Sequence, residues 1–376
     1  MSFTPTPSQM PAWVLPWPRQ ARSRSIIPVF LPFRGCAARC IFCAQDVQTG
    51  LAGQSAGRYG RPAPSLAHIL TKTGELLRAR AARALPPAEL AFYGGTFTAM
   101  PDKEQDVCLA FAAEMLAQGR ISAFRCSTRP DCVAGGVLAR LRAAGCETVE
   151  LGVQSFADAA LAACRRGYDG AAAAEACGRV KAAGLRLGVQ LLPGMPGVSP
   201  AIFLADVSRA LGVGADMLRF YPCLVLEGTE LARIWRGGGY QPWSLETTLE
   251  SLARGWLAAR AAHRPVIRMG LAPEPELARA VLAGPLDPAL GARIMGRALL
   301  AAVREAARGE LLSRLEAPRA CQGHFWGNRG ELRPAWAALG LAPSNVSYAD
   351  RQDLRLWRTT APNERGDLRL QKRRDV

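Results

Sequence analysis

The sequence IIPVFLPFRGCAARCIFC, residues 26–43, begins with an apolar run and ends with three closely spaced cysteines. The run from Ile26 to Phe33 is predicted to form a strand, and Cys36, Cys40 and Cys43 follow it on a short loop. Three thiolates on one loop can hold three corners of an iron–sulfur cluster and leave the fourth iron to a ligand that is not protein. An open iron of this kind is a reaction site.

Zinc is the main alternative for this cysteine loop. A structural zinc site usually has a fourth Cys or His ligand close by, whereas His68, His263 and His324 are all distant in sequence. Buried free thiols are a third interpretation, but thiols this closely spaced after a strand are unusual without a metal. The spacing C-x3-C-x2-C therefore favours a cluster, with Phe42 as an aromatic wall beside it.

Short apolar runs alternate with longer stretches of Ala, Leu and Arg through most of the chain. Strands are predicted at 26–33, 89–93, 122–127, 147–152, 186–192, 216–222 and 265–270, and helices at 65–82, 102–118, 134–144, 170–183, 200–212 and 245–262. Such a series implies parallel strands joined by right-handed crossovers. The predicted fold class is therefore α/β, as a partial or full (β/α) barrel with a small C-terminal extension.

Three segments are expected along the 376 residues. Residues 1–24 are rich in proline and carry only basic charges, which predicts a flexible, extended arm. Residues 25–285 contain the barrel. Residues 286–376 are predicted to form an extension that begins with a helix near 288–307 and ends in an irregular basic tail, whose charges are usually just solvated.

The composition predicts an ordinary soluble protein. Hydrophobic residues make up 49% of the chain, yet no run reaches the roughly 18–20 apolar residues of a membrane span. The first residues lack the basic-then-apolar order of a signal peptide, so we expect a cytoplasmic location with no membrane contact. Eleven cysteines in such a chain are more readily explained as reduced thiols or metal ligands than as disulfides.

The formal charge of +16 favours a nucleic-acid partner, because basic side chains neutralise phosphates and release counterions. Nearly all of the basic residues are Arg, since Lys occurs only at 72, 103, 181 and 372. Genome base composition can also produce such a bias.

Polar and glycine residues follow several predicted strands, where a (β/α) barrel places its chemistry. The second strand is followed by Gly94-Gly95-Thr96, the third by Ser127-Thr128-Arg129, and the fourth by Gln154-Ser155. Together with the cysteine loop, four strand ends therefore predict one site.

The cysteine loop with Phe42 resembles the cluster motif of the radical S-adenosylmethionine (SAM) superfamily. The resemblance implies a [4Fe–4S] cluster held by Cys36, Cys40 and Cys43, whose open iron chelates the methionine part of SAM. Reduction then cleaves SAM to a 5′-deoxyadenosyl radical. Gly94, Gly95 and Thr96 resemble the glycine motif that meets the amino group of the methionine.

Later segments resemble the part of the superfamily shared by anaerobic coproporphyrinogen oxidases and the catalytic subunit of Elongator. The likeness implies that Gln154, Arg166 and Gln190 lie along SAM, with Arg166 a partner for its carboxylate. The segments 127–131, 195–197 and 267–271 favour the Elongator-type branch. Within the last of these, Arg268 is expected to be buried and to meet an acid, a phosphate or the cofactor.

Two departures from the Elongator pattern are visible. Elongator subunits have a longer gap between their first two cluster cysteines, and residues after 290 show no phosphate loop for acetyl-coenzyme A, so no acetyltransferase domain is expected here. The coproporphyrinogen-oxidase group matches less well, because Pro28 to Phe33 stand where that group has a tyrosine and a histidine.

Three functions remain open on the sequence alone. The first is a radical SAM enzyme that modifies a tRNA base, by resemblance a wobble uridine. The second is a radical SAM enzyme acting on a tetrapyrrole or another small molecule, and the third is a non-catalytic iron–sulfur or zinc protein. The family resemblance also implies a flavodoxin or ferredoxin as reductant. No catalytic residue is assigned, although Tyr93, Tyr221 and Cys223 are at predicted strand ends.

Overall fold

The computed structural model describes residues 10–18, 24–31, 34–37, 39–45, 64–134, 136–271 and 275–359. The chain divides into two compact units. The larger unit is Arg22–Gly291, and the smaller unit combines Met1–Ala21 with Ala292–Val376.

A seven-stranded sheet forms the centre of the larger unit. Its strands are β2 (Ile26–Phe30), β3 (Ala88–Tyr93), β4 (Ile121–Thr128), β5 (Cys146–Gln154), β6 (Arg186–Leu191), β7 (Met217–Phe220) and β9 (Val266–Met269). They are hydrogen-bonded in sequence order, and every pair is parallel. The sheet is thus a curled half-barrel whose edges are β2 and β9, which confirms the predicted α/β partial barrel.

Burial on both faces explains the apolar composition of the central strands. The whole of β7 is buried, and so are five of the six residues of β3. Strands covered on both faces are typical of parallel sheets. The edge strand β9 differs, because Arg268 within it is exposed. The expectation that Arg268 would be buried was therefore wrong, since β9 has a neighbour on one side only.

Helices connect the successive strands. In the larger unit they are Leu66–Ala82, Asp102–Ala117, Val137–Ala143, Asp158–Ala163, Gly170–Ala182, Pro200–Gly212, Glu230–Arg236, Leu245–Ala261 and Pro275–Ala280. Several begin at a side-chain cap, as where Asp169 accepts a hydrogen bond from the amide of Ala172 at 2.8 Å. A small antiparallel pair, β8 (Val225–Leu226) and β10 (Val281–Ala283), completes this unit.

The smaller unit contains a four-stranded sheet that the sequence analysis did not predict. Its order is β1 (Trp13–Pro16), β13 (Asp353–Arg358), β11 (Leu312–Pro318) and β12 (Val346–Ala349). Residues 13–16 thus form a strand rather than a flexible arm, because Trp13 pairs with Leu356 and Pro16 with Asp353. The helix Leu290–Ala307 agrees with the expected helix, and the short helix Arg333–Ala337 follows it.

The expected irregular tail is likewise structured between residues 312 and 358. The basic residues from Arg365 to Arg374 lie outside the described part of the chain. Among the helices that the structure describes, none combines the length and the apolar content needed to cross a bilayer.

Candidate active site

A cavity of about 250 Å³ lies at the carboxyl ends of the half-barrel strands. Its wall is formed by the cysteine loop (Cys36, Arg39, Cys40, Phe42, Cys43, Gln45), by Phe30, Tyr93, Gly94, Gly95, Thr96, Ser127, Thr128, Arg129, Gly152, Gln154, Arg166, Gln190 and Leu192, and by Tyr221, Pro222, Cys223, Leu224 and Leu271. Every residue that the sequence analysis named for the cluster or for SAM is in this wall. Their roles there stay predictions, but their convergence is an observation.

The glycine turn, Gly94-Gly95-Thr96, is held against the cysteine loop by hydrogen bonds that two of its backbone amides donate. The amide of Thr96 donates to the carbonyl oxygen of Arg34 at 2.7 Å, and the amide of Gly95 donates to Oε1 of Gln45 at 2.7 Å. Gly95 has φ +71°, and a Cβ built on it would lie 2.2 Å from the carbonyl oxygen of Arg34. Only glycine therefore lets the two segments approach so closely.

Replacing Gly95 by alanine is expected to separate these segments and destabilise the fold. Strain at positive φ and the clash with backbone together predict a loss of roughly 2–4 kcal/mol. Thermal or urea unfolding of the full chain measures it. Gly119→Ala is the matched control, since Gly119 also has positive φ (+64°) but nothing lies within 4 Å of the added Cβ. Equal losses in both variants would contradict the close approach of the two segments.

The three cysteines of the loop are free thiols in the cavity wall. Cys36 Sγ is 3.2 Å from Oγ1 of Thr96. Burial raises the pKa of Cys43 to about 12, and Cys40 and Cys36 add to the rise, so the three sulfurs are close enough to repel one another as thiolates. Within the described residues, however, no group of three His, Cys, Asp or Glu side chains is arranged to hold a single metal ion. Three thiols of one loop in a single cavity wall are the donor set that the sequence analysis expected for the cluster.

Arg166 is buried against the cysteine loop. Its Nη1 donates to Sγ of Cys40 at 2.8 Å, and its Nη2 donates to the carbonyl oxygen of Gly152 at 2.6 Å. The guanidinium also lies over the ring of Tyr168, with 5.1 Å to the centroid. Arg129 donates to the carbonyl oxygen of Arg166 and holds Asp131 at 2.7 Å. A positive charge thus faces the sulfur of Cys40.

Gln154 ends β5 with φ +70°, a conformation that costs about 1 kcal/mol or more for a residue other than glycine. The next turn is anchored by Asp206, which accepts from Oγ of Ser155 at 2.7 Å and from the amide of Phe156 at 2.8 Å. Burial raises the pKa of Asp206 to about 6. Among the described residues the side-chain amide of Gln154 has no hydrogen-bond partner, so it can bind a ligand in the cavity.

A buried charge network, which the sequence analysis missed, supports the floor of the cavity. Glu150, which is 0% exposed, accepts from Arg125 Nη1 at 2.9 Å, from Arg219 Nη2 at 3.0 Å and from the hydroxyl of Tyr93 at 2.8 Å. Gln190 Nε2 donates to its second oxygen at 3.0 Å. The network therefore orients two residues that line the cavity, Tyr93 and Gln190.

The charges within this network balance. Arg125 also pairs with Glu89, so two carboxylates face two guanidinium groups. Burial alone would raise the pKa of Glu150, but Arg219 and Arg125 outweigh it and hold the pKa below the ordinary value. Burial is the main cause that raises the pKa of Tyr93, and the negative charge of Glu150 is the second. The Tyr93 hydroxyl therefore stays neutral and donates a hydrogen bond.

Two family profiles match the chain. The radical SAM superfamily profile covers residues 30–208, and the radical SAM C-terminal domain profile covers residues 215–298. They coincide with the half-barrel and its cavity.

Two curated proteins are similar to part of this chain. The tRNA uridine(34) acetyltransferase of Methanocaldococcus infernus is 27% identical over 57% of this chain and 46% of its own length. Protein YhcC of Escherichia coli strain K12 is 30% identical over 48% of this chain and 58% of its own. This chain thus spans about half the length of the curated relatives it matches.

The solved structure of the archaeal Methanocaldococcus infernus Elp3 with an N-terminal deletion covers 76% of this chain and 64% of that one. Its TM-score is 0.55 at 21% identity, a likeness of fold. This likeness of fold and the two family profiles together identify the half-barrel as a radical SAM fold. The chain therefore belongs to the radical SAM superfamily, whose enzymes use a [4Fe–4S] cluster and SAM.

Proposed function

We propose that this radical SAM enzyme modifies a uridine base of tRNA, with Cys36, Cys40 and Cys43 as its cluster ligands. The single observation that carries the site is the convergence of the three thiols, the glycine turn and Gln154 on one cavity. The proposed tRNA substrate is supported by similarity to a relative named as a tRNA uridine(34) acetyltransferase and by the net charge of +16.

Different residues of the cavity are proposed to bind different parts of SAM. The cluster and SAM, when bound, supply the 5′-deoxyadenosyl radical. The backbone of Gly94 and Gly95 and the hydroxyl of Thr96 are proposed to bind the amino group of the methionine. Gln154 is proposed to bind the adenosyl moiety with its unpaired amide, and Gln190 to lie beside SAM, held by Glu150.

The role that we propose for Arg166 differs from the one that the sequence resemblance implied. The sequence resemblance implied that it binds the carboxylate of SAM, but both of its terminal nitrogens already donate, to Cys40 and to Gly152. We propose that Arg166 mainly fixes the cysteine loop and places positive charge beside it. Bidentate binding of the SAM carboxylate through both terminal nitrogens would then require Nη2 to give up its contact with Gly152 or with Tyr168.

The experiment is SAM cleavage by the full chain after anaerobic reconstitution and reduction. Bulk tRNA is expected to increase 5′-deoxyadenosine formation several-fold over the RNA-free rate, and tRNA digested to nucleosides is the control. Mass analysis of nucleosides from the reacted tRNA should show an altered uridine. Stimulation by a tetrapyrrole such as coproporphyrinogen, with none by intact tRNA, would contradict the proposed substrate and leave the cofactor site standing.

A low-potential one-electron donor such as a flavodoxin or ferredoxin is the proposed reductant, by analogy with the family. The cytoplasm, where tRNA occurs, is the proposed location. Both follow from the proposed chemistry.

A further inference from the structure

Arg268 is the last member of a row of polar residues across the half-barrel. In the parallel register Gln190 is beside Arg219, and Arg219 is beside Arg268. Side chains of register partners on neighbouring strands point to the same face of a sheet. Arg268 follows an irregularity in the pairing of β7 with β9 and is beside Arg219, which binds Glu150 in the interior. It is nonetheless exposed, because β9 is the edge strand.

The guanidinium of Arg268 lies beside the backbone that leads into the cavity wall, although Arg268 itself does not line the cavity. Its Nε donates to the carbonyl oxygen of Gly270 at 3.0 Å, and the next residue, Leu271, lines the cavity. Burial raises the pKa of Tyr221, which also lines the cavity, and Arg268 is one of the cations that oppose this rise. Arg268 therefore lies at the open edge, close to the polar wall of the site.

No carboxylate among the described residues forms an ion pair with Arg268, and its terminal nitrogens have no hydrogen-bond partner there. The neighbouring cations are different: Arg219 pairs with Glu150 at 2.6 Å, and Arg264 pairs with Asp216 at 3.7 Å. Since Glu89 and Glu150 already balance Arg125 and Arg219, no carboxylate in the described part of the chain compensates the positive charge of Arg268 on this face. The two free nitrogens form the fork that suits a phosphate.

The cavity wall has the same sign of charge. It includes Arg39, Arg129 and Arg166 and contains no Asp or Glu among the described residues that line it. An anionic ligand that enters from the open edge thus meets no carboxylate among these lining residues, although Arg129 is already paired with Asp131. A nucleotide has a phosphate next to each base, so a base held in the cavity brings a phosphate to the rim.

We propose that Arg268 binds a backbone phosphate of the RNA strand whose base enters the cavity. The inference rests on the proposed tRNA substrate and adds the point of contact. Of the three partners that the sequence analysis expected for Arg268, an acid, a phosphate or the cofactor, the proposal selects the phosphate. The RNA substrate supplies the phosphate. The terminal nitrogens of Arg268 are accessible to it because β9 is an edge strand.

The test is tRNA binding by the reconstituted full chain at several salt concentrations. Arg268→Gln is expected to weaken binding on the order of three- to tenfold and to reduce the slope of log K against log salt by about one. Arg268→Lys should keep the slope and recover part of the affinity. Arg264→Gln is the matched control, an exposed Arg just before the same strand that already pairs with an acid, and should leave the slope unchanged.

The outcomes separate the inference from the function on which it rests. If wild type binds tRNA with a strong salt dependence and Arg268→Gln does the same, the inference is wrong and the tRNA substrate stands. If wild type shows no salt-dependent tRNA binding, both are wrong. An equal loss in Arg268→Gln and Arg264→Gln would also overturn the inference, because it would reduce the effect to general surface charge.

Discussion

Replacing Cys40 by alanine is expected to remove the bound iron and abolish SAM cleavage while the fold persists. Cys40 is 9% exposed, and loss of its thiol is expected to cost about 1 kcal/mol of stability. A cluster held by two thiolates has lost one of three protein ligands. Iron content per reconstituted chain should fall from about four to nearly zero, and 5′-deoxyadenosine formation should fall to background.

Cys177→Ala is the matched control for this change. Cys177 is buried on the helix Gly170–Ala182 and does not line the cavity, so its variant should keep both the iron and the cleavage. Unfolding curves of both variants would show whether the fold is intact. A Cys40→Ala protein that keeps its full iron content would rule out the assigned ligand set.

Replacing Glu150 by alanine is expected to give the largest loss of stability in the half-barrel. The change leaves Arg125 and Arg219 with buried charge that Glu150 no longer compensates, and it removes the acceptor of the Tyr93 hydroxyl. Removing one partner of a buried ion pair typically costs about 3–5 kcal/mol. The free energy of unfolding from urea titration measures the loss.

Glu147→Ala on the same strand is the control, since Glu147 pairs with Arg24 and Arg186 near the surface. Exposed pairs of this kind are worth about 0–1 kcal/mol. Losses of similar size in the two variants would mean that the buried network contributes no more than a surface pair.

The pH dependence of stability provides a further check on Glu150. Its pKa is lower in the folded state than its ordinary value of 4.5, so its contribution to stability is complete above pH 4.5. The contribution is lost as the pH falls through the folded pKa. Wild type should therefore lose more stability than Glu150→Ala on acidification below pH 4.5, and parallel curves would contradict the lowered pKa.

The half-barrel could be predicted because its signals are local. Each strand is an apolar run with a glycine or polar residue after it, as at β3 with Gly94 and Gly95. Parallel strands direct these ends to one edge, so spacing alone brought the cysteine loop, the glycine turn and Gln154 to a common site.

Long-range pairing explains what the sequence did not show. Trp13 pairs with Leu356 across most of the chain, and no local pattern marks such a partner. The charge network was missed for the same reason, since Arg125, Glu150 and Arg219 look like ordinary charged residues until the register brings them together. The burial of Arg268 was misjudged because the edge position of β9 depends on which strands pair, and the pattern of one strand cannot give this.

The central claim is that three cysteines hold a cluster in a cavity that also binds SAM. Its most direct test is the reaction of the wild-type chain after anaerobic reconstitution, reduction and addition of SAM alone, with iron, zinc and 5′-deoxyadenosine measured on one sample. The prediction is about four irons per chain together with release of 5′-deoxyadenosine and methionine. A chain that takes up a single zinc ion, or that carries the full cluster and releases neither product, would contradict the claim.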